Sequence, residues 1–396
     1  MGEIYLDNAA TGRPPKKVLE AAERFVTLFT DTTKSASEIT CEMRGYLSDA
    51  RAKVAEFIGC DTDEVALVQG TTHGLGIIAN AVPLEKGDNV LICDLEYQAS
   101  TVCFKPRNQK VGFELREVKN HNGTITAADF EAAMDDRTKL ILLASVQEIN
   151  GYRADVKEIA EMAHRHGCLL AIDGVQEVGA MKVNVRETNV DFYTAGAKKW
   201  LCNPFGTGFL YIRRDLCRTL DPMYYGYFSM KFPEKFPNYV SYLEDPARNP
   251  FDDDGIINDA TKFEIMGFAN YIGALGLKRA LEVQLEIGQE KIENHIKDLN
   301  EHLVEELRKL GITPVSPTDR KHMSSIASFN FGFENANIEK EKNLVQFLQK
   351  RGILVSLRSS TGTGGIRISM HYYNTVSDID TLISGISDYM RTINNH

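Results

Sequence analysis

The 396-residue chain lacks the features that would place it in a membrane or outside the cell. No apolar run approaches membrane-spanning length. The first residues, MGEIYLDNAATGRPP, contain no basic stretch followed by an apolar one, so we expect no signal peptide. The seven cysteines are scattered, odd in number and without a CxxC pair. A reducing, cytoplasmic compartment is the simplest expectation.

The chain also lacks an excess of positive charge, an internal repeat and any low-complexity segment. Its net charge of -10 disfavours nucleic acid or an anionic membrane as the main partner. The composition, 43% hydrophobic and 25% charged, is that of an ordinary globular protein. A chain of this length suits two domains, or one large domain with a smaller companion.

Short apolar runs alternate with helical patterns from about residue 64 onward. The predicted strands are EVALVQG, NVLICDLE, KLILLASV, CLLAIDG, DFYTAG and GFLYIRR. Between them lie helical patterns such as TAADFEAAMDD and DVKEIAEMAHRHG. The continuous apolar character of KLILLASV and CLLAIDG is typical of strands covered on both faces. The alternation predicts an α/β fold with a mostly parallel sheet wrapped by helices.

The C-terminal third follows a different pattern. An aromatic, proline-studded stretch over residues 221–255 predicts a long loop, of the kind that serves function or an interface when ordered. Helical patterns from Phe263 to Leu310, with a break near Gly288, precede the strand candidates SIASFNF, GILVSLR and GIRISM and a helix from Val376 to about Ile393. We expect a large domain over residues 16–258 and a smaller α+β domain over residues 1–15 and 259–396.

Polar side chains follow the predicted strands, at the sheet edge where ligands of open α/β sheets collect. Thr71, Thr72 and His73 open a helix, a pattern that suits a phosphate and is equally common as a helix cap. Asp173 ends an apolar strand, where a carboxylate needs a cationic partner. Lys198 and Lys199 follow DFYTAG.

Together these are the parts of a pyridoxal 5'-phosphate site. A lysine can bond covalently to the cofactor aldehyde, and an acidic side chain keeps the pyridine nitrogen protonated. Tyr97, which follows NVLICDLE, can cover a ring face or simply pack. The alternative for Lys199 is an ordinary surface lysine, which the surrounding motifs disfavour.

Seven motifs carry a resemblance to a known family: YLDNAATGRPP, GTTHG, DLEYQAS, SVQEINGYRADVKEIA, AIDGVQEVGA, DFYTAGAKKWLCNPFGTGFLY and RISMHYYNTVSDID. The chain resembles the class V aminotransferase family of fold-type I pyridoxal-phosphate enzymes, which includes cysteine desulfurases, selenocysteine lyases and isopenicillin N epimerases. The resemblance implies a mainly parallel seven-stranded sheet in the large domain, an amino acid substrate, and a homodimer with active sites near the interface.

The resemblance also implies roles for individual residues. Lys199, eight positions after Asp191 and directly before Trp200, matches the lysine that bonds to the cofactor. Arg367 matches the arginine that binds the substrate α-carboxylate through its bidentate fork. The predicted catalytic residues are Lys199, Asp173 and Tyr97; the cofactor-binding residues are Thr71, Thr72, His73, Tyr97, Asp173, Gln176, Lys198 and Lys199; and the substrate-binding residues are Arg367, Asn8, Ala9 and Glu148.

Three departures from the family pattern bear on the chemistry. Gly196 replaces a phosphate-side serine, and Glu148 replaces an asparagine, either as a new acid or base in the pocket or as a misaligned surface residue. The segment SLRSSTGTGGIR contains no cysteine, whereas cysteine desulfurases carry their persulfide-forming thiol there. Transamination, β-elimination with carbon–sulfur cleavage and epimerisation all remain open, as does a non-catalytic relative that keeps only the fold.

Other patterns favour structural interpretations. His164 and His166 lie two apart on a predicted helix and do not share a face, so we expect no metal site there. The run Asp252-Asp253-Asp254 lacks the spaced ligands of a calcium loop. The aromatic cluster from Tyr224 to Tyr242 fits a substrate entrance and an interface equally well.

Overall fold

A computed structural model describes residues 3–28, 30, 33–226, 229–231, 239–249, 251, 255–264 and 269–394. The aspartate run at 252–254 and part of the predicted 221–255 loop lie outside these residues. In the described part, the strands are β1 (Ile4–Tyr5), β2 (Val65–Val68), β3 (Asn89–Cys93), β4 (Glu114–Val118), β5 (Thr138–Ala144), β6 (Leu169–Asp173), β7 (Phe192–Gly196), β8 (Gly208–Ile212), β9 (Ile326–Phe329), β10 (Ile353–Leu354), β11 (Ser356–Ser360) and β12 (Thr363–Ser369).

The α-helices of the described residues vary from one turn to six. They are α1 (Lys16–Leu28), α2 (Ala36–Ile58), α3 (Thr71–Ala81), α4 (Ala99–Val102), α5 (Lys105–Val111), α6 (Ala127–Ala133), α7 (Val156–Arg165), α8 (Val185–Thr188), α9 (Arg214–Thr219), α10 (Tyr239–Leu243), α11 (Tyr271–Ile287), α12 (Gln289–Lys309), α13 (Asn335–Gln349) and α14 (Val376–Asn394). None of these helices combines the length and apolar character needed to cross a membrane.

A seven-stranded sheet forms the centre of the molecule, in the order β2-β8-β7-β6-β5-β3-β4. Only β8 runs against the other strands, so the sheet is mainly parallel, as predicted. The apolar strands are covered on both faces: along β5, Leu140 and Leu142 belong to one core, while Ile141 and Leu143 belong to the other. The predicted α/β class is confirmed.

A smaller three-stranded antiparallel sheet, β11-β12-β9, lies in the C-terminal part of the chain. Its core includes Leu303, Phe329 and Ile368, and also Leu6 from the N-terminus. The N-terminal strand β1 pairs in parallel with β10. By contrast, α11 contributes Leu277 and Leu281 to a core of the large sheet. The exact domain boundaries remain a prediction.

Turns at the carboxyl end of the large sheet position the polar side chains predicted from the sequence. The chain leaves β6 at Asp173 and β7 at Gly196, and it enters α3 at Thr71 directly after β2 and a short turn. Gly74 allows α3 to pack tightly on β7, because a Cβ at this position would lie 2.0 Å from Thr194 Oγ1. The start of α3 is therefore held against the end of β7.

Candidate active site

A cavity of about 630 Å³ lies at this edge of the sheet, between the ends of β6 and β7 and the start of α3. Most of the residues predicted to bind a cofactor or substrate line it: Thr71, Thr72, His73, Tyr97, Glu148, Asp173, Gln176, Lys198 and Lys199. Asn8, Ala9 and Arg367 do not line this cavity, but Ala9 and Arg367 contact the lining residues Gln176 and Glu148.

Lys199 is held by the turn that follows β7. Its carbonyl accepts a hydrogen bond from the amide of Cys202 at 3.0 Å, and the carbonyl of Lys198 accepts one from the amide of Gly12 at 2.9 Å. Burial lowers the pKa of the Lys199 amine from 10.5 to about 8, although the carboxylates of Asp173 and Glu148 oppose this shift. On the order of a tenth of the amine is therefore neutral, and nucleophilic, at pH 7, and this fraction rises steeply toward pH 8.

Asp173 ends β6 and is buried. One carboxylate oxygen accepts a hydrogen bond from the amide of Val175 at 3.0 Å. Burial raises the pKa of this carboxyl group to about 6, while the nearby Lys199 lowers it. The group is still mostly ionised at neutral pH, and it faces the same cavity as the lysine.

The start of α3 has features that suit an oxyanion. Gly196 N–H donates to Thr71 Oγ1 at 2.8 Å, which joins the helix start to the lysine turn. A Cβ at Gly196 would lie 3.3 Å from that oxygen, so glycine suits the close approach. Gln69 N–H donates to His73 Nδ1 at 3.2 Å, and burial lowers the pKa of His73. The amide of His73 donates to the carbonyl of Gly70, whereas the amides of Thr71 and Thr72 are not needed by the helix itself and can meet a phosphate.

Two aromatic side chains stand exposed among the lining residues. Tyr97 is 58% exposed and Phe205 is 65% exposed. The Lys198 ammonium lies 4.8 Å from the centroid of the Phe205 ring. Pro222, Met223 and Tyr224 line a separate cleft of about 280 Å³ that shares Thr72 and His73 with the cavity.

The single tryptophan fixes Gln176. Trp200 Nε1–H donates to Gln176 Oε1 at 2.9 Å, and Gln176 Nε2–H donates to the carbonyl of Ala9 at 3.2 Å. Ala9 therefore contacts a cavity residue through its backbone. Asn8 donates to the carbonyl of Ser369 at 2.7 Å and accepts a hydrogen bond from the hydroxyl of Tyr373.

Arg367 is 1% exposed and is held by groups of the chain itself. Its guanidinium lies 3.2 Å from Asp7 Oδ1 and 3.5 Å from Glu148 Oε2. It also donates to the carbonyl of Glu148 at 3.2 Å and to Ser356 Oγ at 3.3 Å. The predicted contact of Arg367 with a substrate carboxylate remains a prediction.

The sequence reasoning missed Glu96 and Gln147. Glu96 Oε1 accepts hydrogen bonds from the amide of Ala144 and from Gln147 Nε2, both at 2.9 Å. Burial raises the pKa of Glu96 to about 8. These bonds tie the turn that carries Tyr97 to the end of β5. The position of Glu96, at a strand end directly before Tyr97, was a signal that could have revealed it.

The groups that could suggest a metal site have partners within the chain. His164 Nε2 lies 2.9 Å from Asp191 Oδ2, and His166 Nε2 lies 3.1 Å from Glu131 Oε1, so the two histidines contact different carboxylates. Among the described residues, one acidic group has ligand-like spacing: Asp61, Asp63 and Glu64. Arg186 and Arg214 form ion pairs with this group at 2.6–2.8 Å.

The donor set of the cavity fits pyridoxal 5'-phosphate. Hydroxyls, free helix amides and a lysine suit the phosphate, and a buried carboxylate suits the protonated ring nitrogen. A buried amine with a lowered pKa suits the aldehyde. Fold and cavity together define an enzyme of the fold-type I pyridoxal-phosphate class.

Comparisons with known proteins identify the family. The profile of the family described as "Aminotransferase class-V" matches residues 4–382. The chain belongs to this family of pyridoxal-phosphate-dependent enzymes, which confirms the class of enzyme and the cofactor predicted from the sequence. A probable cysteine desulfurase from Methanothermobacter thermautotrophicus is 30% identical, over 96% of this chain and 92% of the relative. A probable cysteine desulfurase from Halalkalibacterium halodurans is 27% identical, over 97% of this chain and 92% of the relative.

Solved structures support the fold. The apo structure of a cysteine desulfurase from Thermococcus onnurineus has a TM-score of 0.84 at 22% identity, over 98% of this chain and 95% of that one. A complex of the cystine C-S lyase C-DES with its reaction product, cysteine persulfide, has a TM-score of 0.84 at 21% identity, over 98% of this chain and 97% of that one.

Proposed function

We propose that the chain is a pyridoxal-phosphate-dependent enzyme that acts on an amino acid by β-elimination, with cleavage of a carbon–sulfur bond and without sulfur relay on its own loop. One observation carries the proposal: Lys199 and Asp173 line one cavity, while the hairpin β11–β12 beside Arg367 carries no thiol. Transamination and epimerisation use the same shared parts and are the competing outcomes of the test below.

The cofactor would be held by the residues described above. Thr71, Thr72, His73 and Lys198 would bind its phosphate, Asp173 its ring nitrogen, Tyr97 a ring face and Lys199 its aldehyde. When bound, the cofactor supplies an electron-accepting ring that stabilises negative charge on the substrate α-carbon.

The chain's own groups then move one proton. The neutral Lys199 amine can take the proton from the substrate Cα, because burial keeps part of the amine uncharged near neutral pH. The Asp173 carboxylate would keep the ring nitrogen of the bound cofactor protonated, which would favour loss of that proton. Loss of the Cα proton from an amino acid with sulfur on Cβ permits the sulfur to leave.

The hairpin β11–β12 favours release of that sulfur as a small molecule. Ser360 pairs with Thr363, so only Thr361 and Gly362 form the turn, with φ of +47° and +75°. A Cβ at Gly364 would lie 2.7 Å from Ile149 Cγ2, which shows how closely the hairpin approaches the chain after β5. No cysteine occurs between residues 356 and 367. The relationship to a cystine lyase fold supports the same chemistry.

Purified protein tests the proposal in two steps. A visible absorbance band that is lost in Lys199→Ala supports the enzyme, whereas a colourless protein that ignores added cofactor supports the non-catalytic alternative. The holoenzyme is then incubated with L-cysteine and with L-cystine, with and without an oxo-acid acceptor. Pyruvate together with sulfide or persulfide, formed without the acceptor, supports elimination. A keto acid formed only with the acceptor would indicate transamination, and inversion of the amino acid would indicate epimerisation. Either result would contradict elimination.

We also propose a homodimer in the cytoplasm. The exposed Tyr97 and Phe205 at the cavity suit burial against a second subunit, and all seven cysteines are free, as expected in a reducing compartment. Light scattering of the holoenzyme measures the mass directly, and the mass of a single chain would contradict the dimer.

A further inference from the structure

We propose that His371 is a positioning residue for Lys199. Its ring binds the carbonyl of Trp200 and contacts Cys202, and these contacts hold the turn that keeps the lysine amine in the cavity. His371 follows β12 by two residues, so a group beside the smaller sheet acts on the large one, across 171 residues of chain. The inference rests on the proposed function, because Lys199 is the residue that would bond to the cofactor.

Both ring nitrogens of His371 have a partner within the chain. Nδ1 accepts a hydrogen bond from the amide of Tyr372 at 2.8 Å, so the proton of the neutral ring lies on Nε2. Nε2–H donates to the carbonyl of Trp200 at 2.9 Å. The side chain is fully buried, and burial lowers its pKa to about 3. His371 therefore remains a neutral hydrogen-bond donor near neutral pH.

The turn that His371 contacts contains a strained residue. Cys202 has a φ of +51°, a conformation that residues other than glycine rarely adopt. In this conformation the Cys202 amide donates to the carbonyl of Lys199 at 3.0 Å. Cys202 Sγ lies 3.2 Å from His371 Nε2, and a Cβ at Gly12 would lie 2.9 Å from that sulfur. Strained backbone persists where its surroundings enforce it, so these contacts keep the turn closed.

A second element holds the same carbonyl. Gln284 of α11 donates from Nε2 to the carbonyl of Trp200 at 2.6 Å. The indole of Trp200 is buried, and its centroid lies 5.4 Å from that of the His371 ring. The residue next to the lysine is therefore held by α11 and by the segment after β12. Because either donor can be removed while the other stays, the carbonyl of Trp200 keeps a partner in each single variant.

His371 and Cys202 act through their positions and not as a catalytic pair. Neither belongs to the described residues that line the cavity. Burial raises the pKa of the Cys202 thiol to about 12, so the sulfur stays protonated and unreactive.

The turn matters because it keeps the amine of Lys199 away from water. Burial is the main cause that lowers the pKa of this amine from 10.5 to about 8. A loosened turn would admit water, and the pKa would rise toward its ordinary value. Each unit of that rise reduces the neutral fraction of the amine at pH 7 about tenfold. The charged groups that also act on the amine are unchanged in the variants below: Asp173, Glu148, Arg367 and Lys198.

Three variants test the inference. His371→Phe removes the donor, His371→Gln keeps an N–H donor, and Gln284→Leu removes the second donor to the same carbonyl. The rate at which each apoprotein binds pyridoxal 5'-phosphate is measured by stopped-flow absorbance between pH 6.5 and 10. We expect His371→Phe to bind the cofactor about 3–10-fold more slowly at pH 7, and its rate to level off at a higher pH than that of the wild type. His371→Gln should stay within about twofold of the wild type. Gln284→Leu should slow binding in the same direction, and it decides the matter if His371→Phe does not fold.

His295→Phe is the matched control. His295 Nε2 lies 2.9 Å from the carbonyl of Asn374, so the substitution removes a contact of the same kind and length from an exposed residue of α12. We expect this variant to keep the wild-type pH profile. A folded His371→Phe with the wild-type profile, or equal slowing in His371→Phe and His371→Gln, would overturn the inference.

The single tryptophan provides a second measurement, which needs no cofactor. Quenching of Trp200 fluorescence by acrylamide is measured on the apoproteins. We expect quenching to be at least about twofold stronger in His371→Phe than in the wild type, because the loosened turn opens locally, and to be near the wild type in His371→Gln. Unchanged quenching in His371→Phe would contradict the inference. A wild-type apoprotein that binds no cofactor would refute the proposed function instead, and quenching would still decide whether His371 holds the turn.

Discussion

At the scale of single residues, the burial of Lys199 has a consequence for pH dependence. The amine reacts with an aldehyde only when it is neutral, and its pKa is lowered to about 8 from 10.5. We expect the rate at which the apoprotein binds pyridoxal 5'-phosphate to rise with pH and to level off above about pH 8. Stopped-flow absorbance between pH 6.5 and 10 measures this rate, and a rise that continues to pH 10 would contradict the assigned environment.

Replacing Asp173 should shift the pH dependence of cofactor binding. Its carboxylate raises the pKa of Lys199, so Asp173→Asn should move the levelling point to lower pH. Under the proposed function, the same variant removes the charge opposite the ring nitrogen, and turnover should fall by about 10²–10³-fold while the cofactor stays bound. A levelling point that stays in place or moves to higher pH would show that the two groups do not interact as described.

Tyr97 offers a simpler test, because it is 58% exposed. If its ring covers the cofactor, Tyr97→Phe should retain the cofactor as the wild type does. Tyr97→Ala should weaken retention by about 2–10-fold, the contribution of one aromatic contact. Equilibrium dialysis measures the cofactor dissociation constant, and equal loss in both variants would assign the effect to the hydroxyl group.

At the scale of elements, the contact between α3 and β7 positions the start of α3, where we propose that the cofactor phosphate binds. A Cβ at Gly74 would lie 2.0 Å from Thr194 Oγ1, so Gly74→Ala should force the helix away from the strand. We expect a loss of about 1–3 kcal/mol in the free energy of unfolding, together with weaker cofactor binding. Denaturant unfolding and dialysis measure the two effects.

Gly76 of the same helix provides the control. A Cβ there meets nothing within 4 Å, and Gly76→Ala should raise the free energy of unfolding by about 0.5–1 kcal/mol through helix propensity alone. Equal effects of the two substitutions would mean that helix propensity, and not the contact with Thr194, decides stability.

The elements also show what a sequence can predict. The strands β5 and β6 could be predicted from the sequence because a strand that is covered on both faces appears as a continuous apolar run. The strand β4 was missed because it lies at the sheet edge and carries Glu114, Arg116 and Glu117, which resemble a solvated loop. The predicted strand GILVSLR divides at Val355 into β10 and β11, which belong to different sheets. No periodicity reveals a strand that changes its partner.

At the scale of the whole molecule, the candidate site was predictable only in part. The residues that follow strands share one sheet edge, so Asp173, Lys199 and Thr71 could be brought together from the sequence. The environment of Arg367 could not, because Asp7, its ion-pair partner, is 360 residues away in the chain. Asp7 reaches Arg367 through the pairing of the N-terminal segment with the C-terminal strands, where Asp7 forms a bridge with Ser369, and the sequence pattern does not reveal that pairing.

One ion-pair network joins the large sheet to α12. Arg153 contacts Glu177 at 3.1 Å and Glu293 at 2.9 Å, and all three side chains are largely buried. We expect Arg153→Met to lower the free energy of unfolding by about 2–3 kcal/mol, because it leaves the buried Glu177 without its cation and Glu293 with Lys297 as its remaining cation. Adding Glu293→Gln should recover part of the lost stability. Denaturant unfolding measures the free energies of the two single variants and the double variant. If the two single effects simply add, Arg153 and Glu293 are not energetically coupled.

The pairing of β1 with β10 sets an order of events during synthesis. A ribosome releases the first strand early, but Asn8 and its partner Ser369 are 361 residues apart in the chain. We therefore expect the amino-terminal segment to lack these strand partners while the large sheet is being synthesised and folded. Because Gly12 and Ala9 contact Lys198 and Gln176, we expect the candidate site to reach its final shape only after the last strands emerge and pair with that segment.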